Sequence, residues 1–208
     1  MRALPNPPVQ LITGAWHDLP DLRRRIEAAL RGGIRWIQLR AKTRSARELH
    51  EAAVAVEPLL RPCGALLVIC DRVDVALSIG AGVHLPENGM SAGHARELLG
   101  RDAWIGRSVH SVAAIRTVAP GELDALQFGP VFDTASKREF GPPQGLAELA
   151  HAATAVREGC RATLIAVGGI TFARVPACRR AGADAVAMIG AAWDAGDIEA
   201  AARRLVRA

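Results

Sequence analysis

TLIAVGGITFARVPACRRAGADAVAMIG, residues 163–190, reads as two strands joined by a helix. An apolar run over 163–168 stops at Gly168-Gly169, an amphipathic stretch covers 171–181, and a second apolar run covers 185–189 before Gly190. Short continuous apolar runs suit strands covered on their outer face, and a helix between two of them makes a parallel crossover. The same alternation fills the chain on both sides. Strands are predicted at 9–15, 34–40, 65–70, 82–85, 103–108, 125–129, 163–168 and 185–189. Helices are predicted at 18–31, 44–60, 72–80, 91–99, 111–119, 145–158, 171–181 and 194–207. Apolar residues recur there at helical spacing, as in Leu22, Ile26, Ala29 and Leu30. Asp18, Ser91 and Ser111 stand where N-caps belong, and Gly32 and Gly100 follow helix ends. Eight strand–helix units in 208 residues predict an α/β fold, a (β/α)8 TIM barrel filling 1–208 as a single compact domain. An open doubly wound sheet is the alternative.

Composition narrows the function classes. The formal charge is +5, which raises nucleic acid as a partner. The arginines fall mostly on predicted helices, as at 23–25, 179–180 and 203–204, without interleaved aromatics. They read as solvated helix faces, so no nucleic-acid partner is expected. No apolar run is long enough to span a bilayer and no signal peptide is read before the first strand. Cys63, Cys70, Cys160 and Cys178 show no metal or redox spacing, so they are expected to be reduced and the protein cytoplasmic. Tyrosine is absent, which removes it as a proton donor. Lysine occurs twice, at Lys42 and Lys137, among 26 basic residues. A compact ammonium on a flexible stem suits phosphate, and drift in an arginine-rich chain is the opposing reading.

In a barrel the chemistry sits at the C-terminal strand ends. Those ends carry Gln38, Arg40 and Lys42; Cys70 and Asp71; His84; Ser108 and His110; Thr134, Ser136 and Lys137; Gly168 and Gly169; and Ile189 and Gly190. Glycine turns that lead into helices after the last two strands mark a phosphate site, with tight turns alone as the alternative. Arg40, Lys42 and Lys137 would bind an anion unless Asp71, Asp74 or Asp133 neutralises them. His110, just beyond the fifth strand, is the candidate acid/base, with His84 the weaker one. Asp71 offers one carboxylate to a magnesium ion, and Glu87 is the nearest acidic residue in the following rim loop. The stretch 129–146 is long enough to act as a flap.

QLRAK (38–42), DRVDVAL (71–77), GVHL (82–85), IGRSVHS (105–111), FGPVFDTASK (128–137), AVGGI (166–170) and AGADAVAMI (181–189) occur in order along the chain. Together they resemble the superfamily of thiamine phosphate synthase and its thiazole tautomerase (TenI-type) relatives. The synthase pattern has Asn-Asp before the Arg-Val-Asp run and an acidic residue soon after Gly-Val-His-Leu. Here Cys70 and Gly89 stand at those places. The resemblance therefore points to the tautomerase branch: aromatisation of a carboxythiazole phosphate by metal-free proton transfer, with no cofactor. It implies His110 as the acid/base, Arg40 or Lys42 on the carboxylate, and the Gly169 and Gly190 amides on the phosphate. The other site residues, Gln38, Asp71, His84, Ser108, Thr134, Ser136, Lys137, Gly168 and Ile189, are expected to line the thiazole phosphate. The alternative within the superfamily is the Mg²⁺-dependent synthase, which joins hydroxymethylpyrimidine diphosphate to thiazole phosphate and would use Asp71 for the metal. A non-catalytic thiamine- or thiazole-phosphate-binding relative is the alternative from another class. A homo-oligomer is admitted by superfamily analogy.

Overall fold

A computed structural model of the protein describes residues 4–134 and 142–208. The strands are β1 (Val9–Ile12), β2 (Trp36–Leu39), β3 (Leu66–Cys70), β4 (Gly82–Leu85), β5 (Ile105–Val109), β6 (Ala125–Phe128), β7 (Thr163–Val167) and β8 (Ala185–Met188). All pair in parallel in chain order, and β8 returns to β1, so the sheet closes into a barrel. The open-sheet alternative is thereby excluded.

Helices α1 (Leu19–Arg31), α2 (Ala46–Leu60), α3 (Val73–Ile79), α4 (Ala92–Leu99), α5 (Val112–Arg116) and α6 (Gly145–Glu158) follow the first six strands. The Asp18 carboxylate accepts the Asp21 N–H to start α1, and Leu22, Ile26, Ala29 and Leu30 form its buried stripe. Ser45 and Glu48 make a reciprocal capping box, so α2 begins two residues later than the predicted 44. Helix α5 stops at Arg116, short of the predicted 119, where the Thr117 hydroxyl donates back to the Ala114 carbonyl. The predicted helix 171–181 is a 3-10 turn, Phe172–Arg174, followed by α7 (Val175–Arg180). Pro176 has no N–H to give, so it belongs in the first turn of a helix, which places the start of α7. The last predicted helix, 194–207, is two: α8 (Gly190–Trp193) and α9 (Ile198–Val206). The second starts where the Asp197 carboxylate accepts the Ala200 N–H. Among the described residues, no helix is long and apolar enough to cross a membrane.

Two apolar regions hold the fold. The larger lies between the barrel and its helices and includes Leu11, Leu22, Ile37, Val83, Phe128 and Val186. The smaller fills the barrel itself: Ile12, Trp36, Val68, Trp104, Ala125, Ile165, Ala185 and Ala187. Trp36, at the start of β2, meets Trp104 edge to face, with centroids 5.3 Å apart and planes at 82°. These rings plug the N-terminal end of the barrel. Above them the interior turns polar. Gln127 on β6 donates through Nε2 to Gln10 Oε1 on β1 at 2.5 Å and to Gln38 Oε1 on β2 at 2.7 Å. All of these amides are buried, so the network fixes side-chain orientation across the barrel.

Candidate active site

The anionic and cationic groups of the C-terminal mouth gather around Cys70, the last residue of β3. Burial pushes its thiol pKa up; the Arg40 charge opposes that most, Asp71 adds to it, and Gln38 and Lys42 pull it down. Asp71 therefore shares one neighbourhood with Arg40 and Lys42. Its backbone is left-handed, at φ 67°, a conformation that aspartate tolerates better than most residues. Its N–H donates to the His84 carbonyl at 2.8 Å, fixing the turn against β4.

Thr13, wholly buried after β1, holds the next strand end. Its hydroxyl accepts the Arg40 N–H at 2.9 Å and donates to the Arg40 carbonyl at 3.3 Å. Arg40 and Lys42 then line a cleft of about 350 Å³ with Gly14, Trp16 and Arg44. Asp74, one of the acids that the opposing reading set against them, is engaged instead by Arg72. Among the described residues Arg40, Lys42 and Asp71 have no ion-pair partner. Ser136 and Lys137 lie outside the described residues, as does much of the stretch predicted to form a flap. Thr134 is half-buried on the segment after β6.

His84 and Ser108 meet across neighbouring strands, with Nε2 and Oγ 2.8 Å apart. His84 is buried and braces Ser108 through this contact. His110 differs: its side chain is 36% exposed and faces an acid. Glu87 accepts the His110 backbone N–H through Oε1 at 3.1 Å and contacts ring Nδ1 through Oε2 at 2.7 Å. Glu87, the acidic residue of the rim loop after β4, is thus committed to an imidazole.

Gly168 and Gly169 have φ of 95° and 62°, so the turn after β7 needs residues without Cβ. A Cβ on Gly168 would lie 2.5 Å from Pro130 Cα, and one on Gly169 would lie 2.7 Å from the Asp133 carbonyl oxygen. Both tight turning and close approach of the post-β6 segment thus demand glycine. Arg174 donates to the Gly169 carbonyl at 2.6 Å and stacks on Phe132 with its guanidinium carbon 4.5 Å from the ring centroid. It brings positive charge to this turn, which sequence reading missed. Ile189 precedes α8 in a non-helical conformation, and Gly190 begins it. An Asp194 carboxylate oxygen stands 3.2 Å from where a Gly190 Cβ would be. That places a carboxylate beside Gly190, whereas the Gly168-Gly169 turn has Arg174 beside it. Gly168→Ala is expected to destabilise the protein by about 2 kcal/mol or more, through unfavourable φ and the Pro130 contact, measured by urea unfolding. An unchanged midpoint would show that the turn relaxes freely.

Three-dimensional and sequence comparisons bear on what this mouth is for. Residues 9–192 match the family described as thiamine monophosphate synthase. The thiamine-phosphate synthase of Methanoculleus marisnigri is 44% identical over 178 residues, covering 85% of this chain and 82% of that protein. The one from Natronomonas pharaonis is 40% identical over 202 residues, covering 96% and 94%. The solved thiamine phosphate pyrophosphorylase from Pyrococcus furiosus superposes with a TM-score of 0.83 at 29% identity, covering 96% of this chain and 93% of that one. These relatives correct the expectation of a thiazole tautomerase. The substitutions at Cys70 and Gly89 that pointed to that branch stand in a chain whose curated relatives carry the synthase name. With the matching family model spanning all eight strands, the chain belongs to the thiamine monophosphate synthase family.

Proposed function

We propose that the protein is a thiamine-phosphate synthase that joins hydroxymethylpyrimidine diphosphate to thiazole phosphate. In this reaction the bond from the pyrimidine methylene carbon to the diphosphate oxygen breaks. The thiazole nitrogen forms the new bond to that carbon, and diphosphate leaves. The observation that carries the reading is the set of Arg40, Lys42 and Asp71 around Cys70 at the mouth, which have no ion-pair partner among the described residues. Two cations at one mouth suit a diphosphate, and one carboxylate beside them suits its accompanying metal.

The fit to Mg²⁺ follows from the donor set. Among the described residues, no cluster of three or more His, Cys, Asp or Glu side chains is placed to hold a metal alone. Mg²⁺ is commonly held by one or two carboxylates together with substrate phosphates and water, so Asp71 fits an ion that enters with the diphosphate. Asp71 would hold it, and when bound it would supply neutralisation of the charge developing on the departing diphosphate. Arg40 and Lys42 bind and orient that group, and the Gly168-Gly169 turn, with Arg174 behind it, seats the thiazole phosphate. Gln38 and Ser108 line the space between them, while His84 holds Ser108 in place.

Purified protein with both substrates and Mg²⁺ is expected to form thiamine phosphate and diphosphate, measured by chromatography. Folded protein that forms neither would overturn the proposal. Lys42→Ala is expected to raise KM for the diphosphate substrate about 10- to 100-fold, the scale of one hydrogen bond to a charged group. Its KM for thiazole phosphate should hold, and equal changes in both would place Lys42 elsewhere in the site.

A further inference from the structure

We infer that Glu87 is a positioning residue that fixes the tautomer and orientation of His110, so that Nε2 faces ligand as a hydrogen-bond acceptor. One carboxylate uses both oxygens on one residue: Oε1 accepts the His110 backbone N–H at 3.1 Å, and Oε2 faces Nδ1 at 2.7 Å. A carboxylate accepts only, so in neutral His110 the ring proton resides on Nδ1. That leaves the lone pair on Nε2, which makes no hydrogen bond among the described residues. The side chain is 36% exposed directly after β5, at the C-terminal rim, so the ring can be reached by a ligand there.

A purely structural role for Glu87 would be to tether the β4–α4 loop. That loop already has a tether: Arg107 on β5 donates to the Met90 carbonyl at 3.2 Å. The described hydrogen bonds of the Glu87 carboxylate go to His110 alone. The pair therefore acts as an acceptor for an N–H or O–H group on a bound substrate. Tautomer control stands on the geometry, whereas its kinetic consequence rests on the synthase reading above.

The test is nitrogen-15 NMR of the histidine rings in the intact protein at neutral to alkaline pH, together with coupling kinetics. Wild-type His110 should be the Nδ1–H tautomer. Glu87→Ala should move it toward Nε2–H, and Glu87→Gln should restore much of the wild-type signal, because an amide oxygen still accepts from Nδ1–H. In the coupling assay Glu87→Ala should lower kcat/KM about tenfold, the scale of one lost hydrogen bond, with partial rescue by Glu87→Gln. An unchanged His110 tautomer in folded Glu87→Ala overturns the inference, even if coupling is normal. A changed tautomer in a protein that performs no coupling upholds it and removes the synthase reading instead.

Discussion

Asp71→Asn is expected to cut the rate of thiamine phosphate formation by about 100-fold or more, the scale for losing a group that stabilises developing charge. Asparagine tolerates the left-handed backbone nearly as well as aspartate, so the turn at φ 67° should survive and the loss should report the carboxylate charge. The variant should also need far more Mg²⁺ for half-maximal rate, and a chelator should abolish wild-type turnover. A titration of rate against Mg²⁺ for both proteins measures this. Equal Mg²⁺ dependence in the two would show that Asp71 does not hold the ion. Because no other rim carboxylate lies unengaged beside Arg40 and Lys42 among the described residues, little compensation is expected.

Trp36→Ala is expected to cost about 3–5 kcal/mol of stability, the range for truncating a large buried aromatic ring. Trp36 is wholly buried and packs edge to face on Trp104 at the closed end of the barrel. Truncation removes that contact and leaves a void among Val68, Ala125 and Ile165, which rigid strands cannot collapse to fill. Among the described residues Trp36 Nε1 makes no hydrogen bond, so Trp36→Phe keeps the ring contact without sacrificing a polar one and should cost much less. Equilibrium urea unfolding of the two variants separates these effects. A loss below about 1 kcal/mol for the alanine variant would show that the plug is not a main support.

The eight strands were legible because each is a short apolar run bounded by a polar or glycine residue, and βα alternation admits few closed arrangements. Helix starts at Asp18, Ser91 and Ser111 were legible from their oxygen-bearing side chains, which do cap the next turn. The chain after Gly169 was less so. There Pro176 and the Asp197 cap subdivide stretches whose apolar spacing still reads as continuous helix.

Strand-end position was enough to bring Arg40, Lys42 and Asp71 to the mouth, since their placement follows from the barrel alone. Which charge meets which side chain was not readable. Glu87 and His110 are 23 residues apart and meet only because β4 and β5 are neighbours. Thr13, Gln10 and Gln127 were passed over because one polar residue inside an apolar run looks the same whether it faces the barrel axis or a helix. The branch was not legible for a related reason: Cys70 and Gly89 depart from the synthase pattern at two positions, while the rest of the chain agrees with the synthases.

The glutamine network inside the barrel gives the mouth a chemical polarity. Gln127 spends both of its N–H bonds on carbonyl oxygens, and one of those oxygens belongs to Gln38. With its oxygen turned inward, Gln38 shows its NH2 group to Cys70 and the space beyond. An amide free to flip would welcome donors and acceptors alike; this one is locked to offer hydrogens only. A group that meets this floor must therefore bring a lone pair, and one with hydrogens alone to give, such as an ammonium, finds no acceptor there.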